Sequence, residues 1–346
     1  MFLNSFNYFR AVAITLIVAG HFAVVSNLNL DGIAAQVFYN LVVGGTALFV
    51  FISGFMFHHV FYVKFLYSKF LIGKLKNVAV PYLILGVTPI LYYVVNMKSS
   101  FGDFYLPEGG GLFNEYVVPA LKYYGTGRFL TAYWYVPFIL VMFVLAPLHV
   151  LFVRLKFKWQ VILTVCLASV ALFVHRPVAN ISVLHSVIYY TPIYLFGIIC
   201  SIYRDSVYSF WRGKEFFLFF GAICISFIQV HTGHLGNYHK DFFEFAGLDL
   251  IFLQKILLCL FFMVWLSRYE AFNSKVLNLV AGASFSIFFL HPFMLVGFGK
   301  LGISSYLNDS WGIYFVVVLV VILVCIAVSY SVKKMFPRYS RYLIGY

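Results

Sequence analysis

Apolar positions along this chain neither alternate nor keep to one helical face; they run on. Stretches of about 17 to 23 residues with few charged side chains recur near 8–27, 41–63, 78–96, 133–153, 159–175, 183–203, 216–232, 247–267, 277–297 and 313–333. Each is long enough to cross a hydrocarbon layer of about 30 Å as a helix rising about 1.5 Å per residue. In lipid such a run must satisfy its own backbone, so the pattern predicts helices and no sheet. The expectation is an all-α fold: one domain over residues 1–346, a polytopic bundle of about ten transmembrane helices. The first run has no basic residues ahead of its apolar stretch and no A-x-A-like site after it, so it reads as a retained helix and not a cleaved signal peptide.

Composition supports that setting: 63% of residues are hydrophobic and 10% charged, against about 25% charged in soluble domains. The charges are also sorted. Alternate connections, around 64–77, 154–158, 204–215, 268–276 and the tail from Lys333, hold sixteen of the 24 Lys and Arg residues. The opposite set holds six: Lys98, Lys122, Arg128, Arg176, Lys240 and Lys300. Basic loops stay on the cytoplasmic side, so both termini are expected in the cytoplasm. The net charge of +13 then reads as a topogenic signal and an attraction to anionic membrane lipids, not as a nucleic-acid surface. All five cysteines fall within the apolar runs with no C-x-x-C spacing, which fits small apolar side chains and neither a redox pair nor a metal site.

Two basic residues remain, Arg10 and Lys255, both within spans. Intramembrane charge is costly and marks function or a specific partner. In FRAVAITLIVAGHF, Arg10 and His21 stand eleven residues apart, which on a helix is about 16 Å and close to three turns, so they share a face. One stripe then carries a cation at the cytoplasmic end and an imidazole far across the membrane. Asp249 and Lys255 lie six residues apart, about 240° around a helix, so each needs a partner from another helix. His291, followed by Pro292, is either a second polar group at the site or part of a kink. His231, His234 and His239 have a spacing some zinc sites use, yet no cysteine or fixed helix supports them, and no metal is assigned. The long outer connection 97–132 clusters tyrosines among glycines and prolines; Tyr123 and Tyr124 are candidate sugar-stacking faces or parts of an interfacial hairpin.

Arg10, ten residues and then His21 resembles the Arg-x10-His signature in the first helix of the membrane-bound acyltransferase type 3 family, whose members move acyl groups onto cell-surface carbohydrates and other acceptors. Further stretches follow in that family's order: ALFVFISGFMF with Ser53 and Gly54, a basic loop before VPYLI, TAYWYVPFILVMF with Trp134 and Tyr135, YYTPIYLFGIIC, LDLIFLQKILL with Lys255, and SFSIFFLHPF with His291. The resemblance runs from about residue 5 to residue 298. It implies a donor-side role for Arg10 and, in the basic loop, for Lys74 and Lys76, which stand where family members often carry an Arg-x-Arg pair. Lysine keeps the charge and loses the bidentate fork. Ser53 reads as a nucleophile or as a helix-packing residue beside Gly54; Ser53, Trp134, Tyr135, Lys255 and His291 are the substrate-binding candidates.

Together these observations lead to an expected membrane O-acyltransferase of the bacterial cytoplasmic membrane. It holds no bound cofactor and uses acetyl-CoA or another acyl-CoA as donor, with a hydroxyl of a surface polysaccharide or its lipid-linked glycan precursor as acceptor. His21 would act as the base and Arg10 would hold the donor. Homo-oligomerisation is left open. An alternative is a proton-coupled glycan exporter or flippase with Arg10, His21 and Lys255 as a relay, although no inverted repeat is visible. Another is an acyltransferase acting on a lipid or secondary metabolite.

Overall fold

Each of the ten apolar runs is helical in the computed structural model, as a backbone that must close its own hydrogen bonds requires. The structure describes residues 3–26, 28–96, 102–303 and 310–346; Lys98, counted above with the sparse loop set, lies outside the described residues. Helix α1 is Asn4–Val25, and a broken stretch follows with α2, Ile33–Val42, and α3, Thr46–Met56. Then come α4, Tyr67–Lys74, and α5, Val80–Asn96, joined through one wide turn, and a short outer helix α6, Val118–Thr126. Helices α7, Tyr135–Val144, and α8, Ala146–Arg154, form a pair bent by 56°. Helix α9 is Phe157–Val174 and α10 is Val183–Ile202. A second bent pair, at 82°, is α11, Arg204–Trp211, with α12, Glu215–His231. Helix α13 is Leu250–Ser267, and α14, Lys275–Gly282, meets α15, Ser284–Lys300, at 68°. The chain closes with α16, Trp311–Met335, and a five-residue turn α17, Ser340–Ile344. Among the described residues seven helical stretches are long and apolar enough to span a membrane, and up to ten if each bent pair is one span.

One boundary differs from the expectation in a way that matters. The run placed at 41–63 starts eight residues early, as α2 at Ile33, and breaks before α3. At the break Gly44 takes φ +77°, where a side chain would be strained, and a Cβ there would lie 3.0 Å from Lys255 Cε. Breaking a helix inside a bundle leaves its last carbonyls without donors. Lys255 of α13 meets that need: its ammonium donates to the carbonyls of Asn40, at 3.2 Å, and Leu41, at 2.8 Å. Asp249 finds its own partner on α10, accepting from the Tyr189 hydroxyl at 2.7 Å.

Helices α3 and α10 cross at backbone contact. A methyl group on Gly54 would overlap the carbonyl of Tyr194, and one on Gly197 would overlap that of Phe51. Small residues let membrane helices approach this closely, where van der Waals packing and not water exclusion drives association.

The loops separate by end. The Glu270 carboxylate accepts from the Asn4 and Ser5 amides at the start of α1, at 2.7 and 3.0 Å. Buried Glu215 pairs with Arg268 nearby. Gly345, after α17, packs on Phe285, next to the Ser284 hydroxyl that Arg10 reaches. Both termini therefore lie toward the Asn4 end of α1, with several of the basic-rich connections. The connections carrying Arg128, Arg176 and His239 converge toward the opposite end, around His21.

Candidate active site

Four residues before α1 ends, His21 faces a cavity of about 450 Å³, within the usual range of roughly 300–1,000 Å³ for small-molecule sites. The break between α2 and α3 opens one wall at Gly44, Gly45 and Thr46; Trp134 and Tyr135 form another, and Phe288 of α15 a third. Among the described residues that line it none is Asp, Glu or Lys; its charged members are Arg128 and Arg176.

His21 is not alone. Its Nδ1 lies 2.9 Å from Nε2 of His291, with the two rings nearly parallel at 10°. The Nδ1 of His291 in turn lies 2.8 Å from the Ile287 carbonyl one helical turn back. A carbonyl oxygen only accepts, so His291 carries its proton on Nδ1 and presents a bare Nε2. His21 Nδ1–H must then donate to it, which puts the lone pair of neutral His21 on Nε2. Among the described residues no protein group bonds that nitrogen. The neighbour thus fixes the tautomer that a base facing the cavity needs. His291 thus meets His21 on one side and the Ile287 carbonyl on the other, within an α15 that runs on through Pro292.

Other expected residues divide. Trp134 and Tyr135 line the cavity; Trp134 is stacked on Tyr190 at 5.9 Å between ring centres. Ser53 does not line it and stands beside the tight Gly54 crossing. Arg10 shares the His21 helix but stands outside the cavity, whose α1 lining starts at Leu16. Its Nη2 donates to Ser284 Oγ at 2.8 Å. Lys74 lies over the Phe61 and Phe143 rings at 4.4 and 4.9 Å, close enough to Arg10 and Arg341 for mutual repulsion, while Lys76 is exposed. These cations mark the end of the bundle away from the cavity mouth.

Three candidates are corrected. Lys255 caps the broken end of α2, its ammonium committed to two carbonyls, and stands outside the main cavity in a small adjoining recess shared with Gly44, Arg176 and Asn237. Tyr123 is 1% exposed, stacked on Tyr105 at 4.3 Å between ring centres, and offers no face to a sugar. Tyr124 donates to the Leu83 carbonyl at 2.9 Å, and its own carbonyl accepts from Tyr82 at 2.7 Å. The two tyrosines tie α6 to α5 and leave the cavity wall to others. Among the described residues no three His, Cys, Asp or Glu side chains stand close enough to hold a metal ion. His234 bonds the Gly236 carbonyl, and His239 bonds that of Pro177.

Sequence reasoning missed Arg128, Arg176, Asn180, Asn237 and His239, all lining the cavity. A signal existed: Arg128 and Arg176 are the arginines in the connections otherwise poor in basic residues. Charge placed against the topogenic bias needs another reason to be there.

The chain matches the family model for the acyltransferase type 3 acyltransferase domain over residues 3–330, nearly its whole length, and it belongs to that family. Searches of curated proteins and of solved structures returned no match. The protein is therefore a multi-pass membrane acyltransferase, and the exporter alternative is set aside.

Proposed function

We propose that this acyltransferase takes an acyl group, most simply acetyl from acetyl-CoA, and esterifies a hydroxyl of a cell-surface polysaccharide or its lipid-linked precursor at the bacterial cytoplasmic membrane. The observation that carries the chemistry is the His21–His291 pair at the wall of a glycan-sized cavity. A sugar hydroxyl is a poor nucleophile at neutral pH and needs its proton removed as it attacks. Nε2 of His21 accepts that proton while the hydroxyl oxygen bonds the thioester carbonyl carbon. The tetrahedral intermediate then collapses, the carbon–sulfur bond breaks, and the imidazolium returns its proton to the departing thiolate. During this cycle the Nδ1–H of His21 becomes a charge-assisted donor to His291, which stabilises the imidazolium.

Donor and acceptor meet from opposite ends in this account. Arg10 and Lys74 favour the donor's phosphates at the end where both termini lie, and the positive-inside bias makes that end cytoplasmic. The reactive thioester has then to reach about 16 Å along α1 to meet His21, a distance suited to the donor's long flexible arm. The acceptor enters through the mouth lined by Trp134 and Arg176.

The test is to incubate purified protein with labelled acetyl-CoA and the host's envelope glycans and look for an alkali-labile ester on the glycan. Label in a glycan ester, absent without protein, is the expected result. Label appearing only in lipid, or hydrolysis with no acceptor esterified, would overturn the acceptor assignment.

A further inference from the structure

The acceptor mouth is built around a guanidinium that, among the described residues, forms no ion pair. Arg176 is 6% exposed and lines the cavity. Its Nη2 donates to Asn180 Oδ1 at 3.2 Å and its guanidinium lies 6.0 Å from the centre of the Tyr190 ring, but its Nε is buried without a partner. The guanidinium lies over the Trp134 ring, 5.2 Å from its centre. Asp249, an acid whose charge acts with that of Arg176, is committed to the Tyr189 hydroxyl and the Phe252 amide. An unpaired buried donor on a permanent cation is expensive, and such groups ordinarily find a partner.

The backbone around Arg176 points the same way. Among the described residues the non-glycine positions with positive φ are His175, at 57°, Ala179, at 51°, and Asn180, at 54°. All fall within the six residues that present Arg176 and its partner Asn180. The segment is further pinned by the pairing of Arg176 with His239 in a two-stranded parallel ladder, β1 at Arg176–Pro177 with β2 at His239–Lys240. Strain of this kind persists where surrounding structure enforces it, and it clusters at ligand clamps. Arg128 lines the same mouth, and it and Arg176 both act on the His239 imidazole. Burial and then Arg176 hold that imidazole below its ordinary range, so at neutral pH it adds a hydrogen-bonding group and no charge.

We propose that Arg176, assisted by Arg128, is an anion subsite that selects acceptors bearing a carboxylate or phosphate next to the hydroxyl to be acylated. The planar fork of an arginine fits either oxyanion, and its place over Trp134 with the bond to Asn180 holds it at the mouth. The inference rests on the reading of the cavity as an acceptor site, and it names the chemical class of that acceptor: an acidic glycan or a phosphate-linked one.

The test measures binding, so it does not depend on turnover. Purified protein in nanodiscs is titrated with glucose, glucuronate and glucose 1-phosphate, with and without saturating acetyl-CoA. One charged probe should bind at least about tenfold tighter than glucose, the scale of one hydrogen bond to a charged group. Whether glucuronate or glucose 1-phosphate wins tells a carboxylate acceptor from a phosphate-linked one. Arg176→Gln should remove the preference and Arg176→Lys should keep part of it. His21→Ala should keep the preference for the anion over glucose, so loss of the catalytic reading and loss of this one are separable. Equal binding of glucose and both anions, or no binding of either anion, would overturn the proposal in the native protein itself, whether or not the variants fold. So would a preference retained in a folded Arg176→Gln variant, or displacement of the anion by acetyl-CoA, which would assign the arginine to the donor.

Discussion

Replacing His291 tests whether its role is to orient His21 or only to fill the bundle. His291→Leu removes both ring nitrogens from a fully buried position with little change of volume. Two hydrogen bonds go with them, the 2.9 Å contact to His21 and the 2.8 Å contact to the Ile287 carbonyl. The second costs about 0.5–1.5 kcal/mol, because the Ile287 carbonyl still stands in register to accept from the residue-291 amide of α15. The first matters for rate, because the lost bond is strongest when His21 is an imidazolium, in the transition state. A hydrogen bond to a charged group contributes about 1.5–3 kcal/mol, which predicts a fall in kcat of roughly 10- to 150-fold. His291→Gln keeps an oxygen that accepts from His21 Nδ1 and should recover much of that loss. The assay is labelled acetyl transfer at saturating donor and acceptor, normalised to folded protein by size-exclusion chromatography, with the donor KM measured alongside. The ordering native, Gln, Leu in kcat at constant donor KM is expected. If folded His291→Leu turns over within twofold of native, the tautomer argument fails.

Lys255→Met should lower thermal stability by about 1–3 kcal/mol through the stranded Asn40 and Leu41 carbonyls and leave both KM values alone; a stable variant with lost transfer would return Lys255 to the site. Gly54→Leu should fail to accumulate as folded protein because its side chain has to occupy the space of the Tyr194 backbone; a monodisperse variant with native melting would show that the α3–α10 crossing is looser than described. Tyr123→Ala should lower the melting temperature while turnover per folded molecule and acceptor KM stay native, since the ring is buried in a tyrosine stack; a raised acceptor KM in stable protein would put the tyrosine back on the substrate.

Much of the fold was legible because lipid imposes a simple rule: a run of about twenty apolar residues has to be a helix. The Arg10 and His21 stripe was legible for a related reason, since a charged residue in such a run stands out. What failed did so where the rule has no grip. Lys255 also stands out as intramembrane charge, yet its partners are backbone carbonyls freed by a helix break at Gly44; the Gly44–Gly45 pair signals a break but not which side chain caps it. Tyr123 and Tyr124 look like surface aromatics from composition, and only the packing of α6 on α5 buries Tyr123 and half-buries Tyr124. Arg176 was counted as a loop charge because its burial depends on Trp134, Asn180 and Tyr190, brought together from three separate segments.

The most direct measurement of the central claim is transfer by His21→Ala, per folded molecule, in protein matched to native by yield, monodispersity and melting temperature. Alanine is at least as apolar as histidine in a span, so insertion should be unaffected. Loss of a general base costs about 10²–10⁴ in rate, and the account predicts a fall of that size at unchanged donor binding. Native turnover in well-folded His21→Ala would contradict it.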